Sequence, residues 1–222
     1  MAYGPKMQFA VGDHTVLMRP FRQDEAERFL VGMQSLPVIR TIGLWHAQTL
    51  ENEEEFLKRT AEDENALAWA ITVVSDEYPD GLAIGTSSLH LNRVRQFAST
   101  GSVIFDRSWW RKGIAKHAHM ARTYYAFTAL GLLGLESSYL RGNEASSRAL
   151  RNSGYDETGG FQLRFKCIEG AWEPIVHLLC VNPLPGPWEY AWDGVEIEPR
   201  FVEARRRTQS VLEWASNSIS WP

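Results

Sequence analysis

The sequence predicts an α/β fold in which a mixed, partly antiparallel central sheet carries helices on both faces. Strand-like apolar runs alternate with segments of helical periodicity over most of the 222 residues. The turn signal Asp80-Gly81 separates two strand-like runs, Ala66 to Val74 and Leu82 to about Leu91, and therefore predicts a hairpin. A strand, a helix and a strand follow between Val103 and Leu140, an arrangement that is normally a right-handed crossover between parallel strands.

One strand and two helices are predicted before this hairpin. His14 to Arg19 is apolar enough for a strand, which Pro20 ends. Gln23 to Met33 has apolar residues at helical spacing. Thr49 is placed to cap a second helix that runs to about Thr60, and glutamates in its first turns favour the helix N-terminus. These glutamates are Glu51, Glu53, Glu54 and Glu55.

After the hairpin, the polar stretch Asn92 to Thr100 leads to a short predicted strand. Helical periodicity then begins at Gly113 and ends near Gly131 or Gly134. Asn143 is placed to cap a shorter helix that follows it. The predicted strands of this half are Ser102 to Phe105, Leu135 to Leu140, Phe161 to Ile168 and Pro174 to Val181.

Residues 183–222 are predicted to form a C-terminal extension of a domain that spans residues 1–182. The run Pro183-Leu184-Pro185-Gly186-Pro187 indicates a break after the last strand, and Pro199 to about Ala215 has the pattern of an amphipathic helix. Between them lie Trp188, Tyr190 and Trp192. These aromatic residues favour packing of the extension against the main domain or a second subunit, and a lid over an acceptor site is the alternative.

Composition and charge narrow the class of protein. The chain is 44% hydrophobic and 23% charged, which is ordinary for a globular domain. Its formal net charge of −4 gives no support to general nucleic-acid binding, and it suits a cationic amine as substrate. Its two cysteines, Cys167 and Cys180, match no common zinc pattern and form no disulfide scaffold. The N-terminus lacks an apolar signal region and no window suits a membrane span, so we expect a cytoplasmic protein without a membrane partner.

The most informative stretch is Trp109-Trp110-Arg111-Lys112-Gly113-Ile114-Ala115, a basic turn between a predicted strand and a long predicted helix. The first backbone N–H groups of a helix have no intrahelical partners, and the helix dipole places partial positive charge there. Arg111 and Lys112 add charge, and Gly113 lets a ligand approach the backbone closely. The turn therefore predicts a site for a phosphorylated cofactor, with a solvated helix start as the alternative.

Two signatures resemble the GCN5-related N-acetyltransferase (GNAT) family. Residues Trp110 to Ala115 resemble the acetyl-CoA pyrophosphate loop of that family. Farther along, Asn143-Glu144-Ala145-Ser146, Ala149-Leu150 and Gly154-Tyr155 resemble the pattern of its RimJ/RimL-type branch. The resemblance covers about residues 14–182, and both signatures fall on the elements that the family would require.

This resemblance implies an acyl-CoA-dependent N-acyltransferase that acetylates a primary amine by direct attack in a ternary complex. Acetyl-CoA is then the cosubstrate, and the acceptor is a small molecule or a peptide, such as a protein N-terminus. The alternative is a catalytically silent acyl-CoA-binding sensor or assembly module on the same fold, because Lys116-His117 and Thr158-Gly159 stand where the branch often has glutamate. A homodimer is compatible with both interpretations.

The resemblance also implies how the cofactor is held. The parallel strands beside the crossover helix would separate to receive the pantetheine arm, and a backbone N–H of the first strand would polarise the thioester carbonyl. Asn143 would bond the pantetheine amide, or serve as a helix cap. Ser146 would bond the sulfur or protonate the leaving thiolate, with Ser147 as competing candidate and a helix-surface hydroxyl as the alternative for both. The predicted cofactor-binding residues are Val103, Phe105, Trp110, Arg111, Lys112, Gly113, Ile114, Ala115, Asn143 and Ser146.

A protonated amine cannot attack a thioester, so a group or a water chain must remove a proton. The candidates are His90 at the end of a strand, Glu136 at the start of the strand after the crossover helix, and Glu157. A structural role is the alternative for each. Ser146, Glu136 and His90 are the predicted catalytic residues.

In the family, the segment between the first two helices lines the acceptor pocket, and here it is about Ser35 to Gln48. Trp45 and His46 are the predicted acceptor-binding residues in it, with a core anchor as the alternative for Trp45. His117 and His119 point in different directions on their helix, so they do not predict a metal pair. We expect no metal, since no other cluster of histidine, cysteine and carboxylate matches a metal site.

Overall fold

The computed structural model describes residues 4–42, 48–168 and 171–222, and of residues 160–168 and 171–173 it describes the backbone. The described strands are β1 (Met7–Val11), β2 (His14–Arg19), β3 (Ala66–Val74), β4 (Leu82–Asn92), β5 (Phe97–Ile104), β6 (Gly134–Leu140), β7 (Asp156–Ile168) and β8 (Ala171–Val181). The described helices are α1 (Ala26–Met33), α2 (Leu36–Ile42), α3 (Leu50–Glu62), α4 (Ile114–Thr128), α5 (Glu144–Asn152), α6 (Pro185–Ala191) and α7 (Pro199–Ser218). Short 3-10 turns lie at Gln23–Glu25 and Arg107–Trp109.

These strands form one sheet in the order β1-β2-β3-β4-β5-β6-β8-β7. Strands β1 to β4 pair antiparallel along the chain, and β8 pairs antiparallel with both β6 and β7. β5 and β6 pair parallel from Phe97–Gly134 to Ser99–Glu136, and both strands continue beyond those pairs. This topology confirms the predicted α/β class, the mixed sheet and the parallel crossover.

The chain divides into two compact units, and the first contains Met1–Leu91, Gly101–Ala118 and Ser218–Pro222. Within it, α1 packs against α3, and side chains of both helices join a hydrophobic cluster with β3 and β4. The buried members of this cluster are Phe21, Ala26, Phe29, Val38, Leu57, Ala68, Ala70, Ala83 and Phe105. Met33, Ile42, Val103 and Trp110 pack against it and are partly buried. The cluster therefore supports both the end of β5 and the turn that follows.

The second unit contains Asn92–Thr100 and His119–Asn217, and so includes most of the C-terminal extension. The extension is held there by Trp188 and Phe201, which are buried with Val181 in a second hydrophobic cluster. On α7, Thr208 packs so closely that a Cβ at Gly154 would lie 2.0 Å from its hydroxyl oxygen. The side chain of Cys180 is buried in the same region, and burial raises the pKa of its thiol to about 12.

The helix caps were predicted correctly from local sequence. The Thr49 hydroxyl accepts a hydrogen bond from the Asn52 N–H at 3.3 Å, and α3 begins directly after it. Asn143 accepts a bond from the Ser146 N–H at 3.1 Å at the start of α5. Each cap satisfies a helix N–H that would otherwise lack a partner.

Other elements depart from the sequence predictions. Strand β1 was not predicted, because its five residues are too short for a clear pattern and gain their structure from pairing with β2. β5 begins at Phe97 rather than Ser102, so part of the stretch taken as a polar connection is strand. The expected break at Pro183-Leu184-Pro185-Gly186-Pro187 is confined to its first residues, because Pro185 starts α6 at a position where proline fits a helix. Helix α2 lies within the segment expected to connect two helices.

Candidate functional site

The turn before α4 has two residues in the left-handed region of the backbone. Arg111 has φ +63° and Gly113 has φ +81°, with Lys112 between them. Left-handed conformation costs a residue with a side chain about 1–2 kcal/mol, so its use at Arg111 indicates that the turn is held in place. Backbone N–H groups in alternating turn conformations point into a common concavity, which attracts anions.

Contacts on both sides of the turn fix its position. The Asp106 carboxylate accepts hydrogen bonds from the Ser108 N–H at 3.1 Å and the Ser108 hydroxyl at 2.7 Å. Arg28 donates to the same carboxylate at 3.1 Å. The indole N–H of Trp110 donates to the Ile104 carbonyl at 2.7 Å, which ties the turn to the end of β5. Trp110 is thus an anchor for the turn.

Val103, Phe105 and Trp110, three predicted cofactor-binding residues, come together in the cluster that also contains Leu57. Phe105 is buried, whereas Val103 and Trp110 are partly exposed. The structure therefore joins the end of β5 and the start of the turn through one packed set of side chains.

The basic side chains of the turn are exposed to solvent. The ammonium nitrogen of Lys112 lies 4.3 Å from the centre of the Trp109 ring, a cation–π distance. His14 packs edge-on against the same ring, at 4.9 Å between ring centres. His117 Nδ1 lies 3.0 Å from the Gly113 carbonyl, and burial lowers the pKa of this imidazole. Arg111 and Lys112 therefore place positive charge on the turn itself, and Ile114 and Ala115 begin the helix behind them.

The two adjacent serines of α5 differ in their surroundings. The Ser147 side chain is buried, and its hydroxyl donates to the Tyr139 hydroxyl at 3.2 Å. Ser146 is half-buried, and within the described residues its hydroxyl makes no hydrogen bond. Of the two candidates, Ser146 therefore has the hydroxyl available for a ligand.

Glu157 belongs to a polar network on the same unit as the serines. The Tyr139 hydroxyl donates to the Glu157 carboxylate at 3.1 Å, and Arg151 forms an ion pair with that carboxylate. Arg151 also lies 3.5 Å from the Asp156 carboxylate. Glu157 is therefore already engaged as an ion-pair partner and hydrogen-bond acceptor.

The two catalytic candidates on strands lie in exposed positions. Glu136 is 46% exposed and forms an ion pair with Arg95 at 3.4 Å. His90 is exposed near the end of β4, opposite Ala66 of β3. Trp45 and His46, the predicted acceptor-binding residues, lie outside the described residues.

The sequence predicted Glu53 only as one of four glutamates that favour the helix N-terminus, and the structure buries it. Its side chain is only 6% exposed, and burial raises the pKa of its carboxyl group. The available signal was its spacing from Leu57, because residues four apart share one face of a helix. Leu57 is fully buried, so that face of α3 points inward.

A second buried group that the sequence did not reveal is the pair His119 and Arg122 on α4. The two side chains are in contact at 2.7 Å, and Arg122 also donates to the Tyr155 hydroxyl at 3.4 Å. Burial, and then the guanidinium charge, hold the pKa of His119 well below its usual value. His119 is therefore a neutral core residue at neutral pH.

Within the described ranges 4–42, 48–168 and 171–222, no three histidine, cysteine or carboxylate side chains are grouped as a metal site would require. Among those same residues, no helix is both long and apolar enough to cross a membrane.

Comparison with protein-family models gives a match over residues 15–156, and the matching family is described as "Acetyltransferase (GNAT) domain". That range includes β5, the turn, α4 and α5. A search of the curated proteins gives no significant match.

Solved structures with a similar fold are acetyltransferases by their descriptions. A probable acetyltransferase is 21% identical, with a TM-score of 0.66, and the match covers 79% of this chain and 97% of that one. Spermidine N-acetyltransferase from Vibrio cholerae, in complex with CoA and spermine, is 14% identical with a TM-score of 0.67, over 75% of this chain and 95% of that one. Mycobacterium smegmatis RimJ, in complex with CoA-disulfide, is 16% identical with a TM-score of 0.66, over 98% of both chains. At these identities the likeness concerns the fold.

Proposed function

Because this chain belongs to the GNAT acetyltransferase family, we propose that it transfers an acetyl group from acetyl-CoA to a primary amine by direct attack in a ternary complex. The observation that carries the proposal is the turn before α4, where Arg111 and Gly113 adopt left-handed conformations at the start of a fifteen-residue helix. Such a turn offers backbone N–H groups, the helix dipole and two exposed cations to a pyrophosphate.

The turn residues fit the phosphorylated part of the cofactor. Backbone N–H groups from Arg111 to Ala115 would bind the pyrophosphate, with Lys112 adding charge. Gly113 allows close approach of a ligand to the backbone, since the atoms nearest to an added Cβ would belong to Val11 and His117 at ordinary contact distances. The bound cofactor supplies an activated thioester, and the rest of the chemistry falls to the protein.

The remaining cofactor contacts would come from β5 and α5. A backbone N–H near Val103 to Phe105 would donate to the thioester oxygen and stabilise the charge that develops there. Asn143 would bond the pantetheine amide while its side-chain oxygen caps α5. Ser146 would donate a hydrogen bond to the sulfur as the carbon–sulfur bond breaks, and its free hydroxyl supports this role. A thiol has a pKa of about 8.5, so this assistance is modest near neutral pH.

We assign the protein to the RimJ/RimL-type branch of the family. Two observations support this: the Asn143 to Ser146 signature with Gly154-Tyr155, and the extent of the match to RimJ. That match covers 98% of this chain, whereas the match to the spermidine enzyme covers 75%. The RimJ match therefore includes most of residues 183–222. We interpret these residues as a C-terminal extension of an acetyltransferase domain at residues 1–182. A protein N-terminus or a small cationic amine would be the acceptor.

Thermal unfolding with saturating acetyl-CoA tests the proposal, with ATP and NAD as controls. A ligand at one hundred times its Kd adds about 2.7 kcal/mol to the free energy of unfolding. For a chain of this size, that corresponds to a rise in Tm of about 5–10 °C. A rise with acetyl-CoA alone supports the proposal, and no rise with any acyl-CoA rejects it. Binding without turnover of any amine would instead favour the silent sensor.

A further inference from the structure

We propose that Glu53 is the carboxylate that binds the cationic amino group of the acceptor, an inference that rests on the proposed function. Glu53 lies in the first turns of α3, and its side chain is 94% covered by the protein. Within the described residues, its carboxylate forms no ion pair and no hydrogen bond. A buried carboxylate without a partner is costly, so a ligand that supplies the partner would bind strongly there.

The carboxylate of Glu53 is not sealed inside the protein. Six side chains in the described part of the chain have a fully enclosed polar atom without a hydrogen-bond partner, and Glu53 is not one of them. Its oxygens are therefore not fully enclosed by the protein. A ligand can reach this carboxylate while the surrounding protein excludes most of the water, which strengthens the attraction between opposite charges.

Glu53 lies on a helix whose buried face shares a hydrophobic cluster with elements of the proposed cofactor site. One turn farther along α3, on the same face, Leu57 packs in the cluster that contains Phe105 and supports Val103 and Trp110. These residues belong to the end of β5 and the start of the turn. Helix α3 packs against α1 and β3, so the face that carries Glu53 and Leu57 borders the same hydrophobic cluster as Phe105.

The charge around Glu53 favours a cation as its partner. Its neighbours Glu51, Glu54 and Glu55 are exposed on the same turns of α3. Of these, Glu55 lies 3.8 Å from Arg59, an exposed pair that contributes little. A group of negatively charged carboxylates raises the local concentration of cations. Glu53 is the buried carboxylate of this group, and we assign to it the binding of the ammonium group.

The carboxylates expected from the sequence are less suited to this role. Glu136 pairs with Arg95 on the surface, and Glu157 pairs with Arg151. Both already have a cationic partner, so a substrate ammonium group would have to compete with an arginine. Glu53 has no such competitor among the described residues.

Kinetics of Glu53→Gln, with Glu54→Gln as the matched control, test this assignment. The two variants make the same change at adjacent positions, one buried and one exposed. Acceptors would be spermidine, ethanolamine and a short peptide with a free N-terminus. We expect Glu53→Gln to raise KM for the best acceptor by roughly tenfold to a hundredfold, because the attraction between the buried carboxylate and the ammonium group is lost and only a weaker hydrogen bond to a neutral amide remains. The Kd for acetyl-CoA should stay unchanged in both variants, and Glu54→Gln should raise KM far less than Glu53→Gln does.

Stability separates a binding role from a structural one. Removing an unpaired buried charge should leave the Tm of Glu53→Gln equal to that of wild type or above it. A lower Tm with an unchanged KM would show a structural residue and overturn the inference, as would unchanged KM and Tm together. Glu53→Met, which removes the charge at similar volume, repeats the test if the glutamine variant does not fold.

Failure of the inference is distinct from failure of the proposed function. If wild-type protein does not bind acetyl-CoA, the proposed function falls and this inference with it. If wild-type protein acetylates an amine and Glu53→Gln does so with the same KM, only the inference is overturned. If acetyl-CoA binds but no amine is acetylated, the proposed cofactor site is supported and an ammonium-binding role for Glu53 is rejected.

Discussion

Replacing Gly113 by alanine tests the anion-binding turn with a change of one methyl group. Gly113 has φ +81°, and a Cβ at this position would have its nearest contacts at 3.7 Å and 3.8 Å, which are ordinary distances. The cost of the substitution is therefore conformational rather than steric. It amounts to about 1–2 kcal/mol for a left-handed residue with a side chain, or roughly 2–8 °C in Tm for a chain of this length.

Gly131→Ala provides a control with the same strain at the other end of the same helix. Gly131 lies three residues after the last residue of α4, has φ +63°, and has no atom within 4 Å of an added Cβ. It should lose a similar amount of stability. Only Gly113→Ala should weaken the binding of acetyl-CoA. The exposed turn can relieve the strain of the added side chain by rotating its backbone N–H groups away from the ligand.

The assay is isothermal titration of acetyl-CoA at a temperature where both variants are folded. Each charge-assisted hydrogen bond contributes about 1.5–3 kcal/mol, so the loss of one raises Kd by about tenfold to a hundredfold. We expect that increase for Gly113→Ala and a wild-type Kd for Gly131→Ala. Equal Kd values in the two variants, with a similar loss of Tm in each, would refute the assignment of the pyrophosphate to this turn.

Other substitutions test the serines, the buried histidine and the extension. Ser146→Ala should lower kcat and leave acetyl-CoA binding intact. Ser147→Ala should lower the free energy of unfolding by about 1 kcal/mol, because its hydrogen bond to a tyrosine is lost. The reverse result would assign the hydrogen bond to the thioester sulfur to Ser147. Because the pKa of His119 is lowered by folding, the unfolded chain binds more protons below about pH 6.5, and stability should fall on acidification by at most about 1.4 kcal/mol per pH unit. His119→Gln should flatten the dependence of Tm on pH, and an unchanged dependence would contradict this account of His119. Arg207→Gln should lower the free energy of unfolding by about 1–3 kcal/mol, since α7 loses an ion pair at 2.9 Å to a buried aspartate, and an unchanged denaturation midpoint would show that the pair contributes nothing.

The features predicted correctly from the sequence are those determined by neighbouring residues. Thr49 and Asn143 cap helices because a side-chain oxygen reaches an N–H three residues later, a contact that local sequence specifies. Gly113 marks the turn because the left-handed region is accessible to glycine. The Asp80-Gly81 turn was predicted for the same reason, and Gly81 has φ +82°.

The features that were missed depend on residues distant in the chain. β1 is a strand because it pairs with β2, and Gln8 also exchanges two backbone hydrogen bonds with Ser220 at the far end of the sequence. Ser146 and Ser147 are equivalent in a sequence pattern, and only the contact of one with Tyr139, eight residues earlier, separates them. A motif therefore identifies which residue types are present, whereas the fold determines which of their polar atoms already have a hydrogen-bond or ion-pair partner.

Two buried carboxylates show how the presence or absence of a cationic partner separates a structural group from a candidate functional group. Asp156 and Glu53 are almost equally buried, at 7% and 6% exposure. Asp156 lies 2.9 Å from Arg207 and 3.5 Å from Arg151, so its charge is neutralised within the fold and it fastens α7 to the start of β7. Burial raises the pKa of Glu53, and no cation in the described residues offsets that effect. A charge that the fold buries and leaves unpaired lowers stability, and such a residue is best explained by a cation that arrives with the substrate.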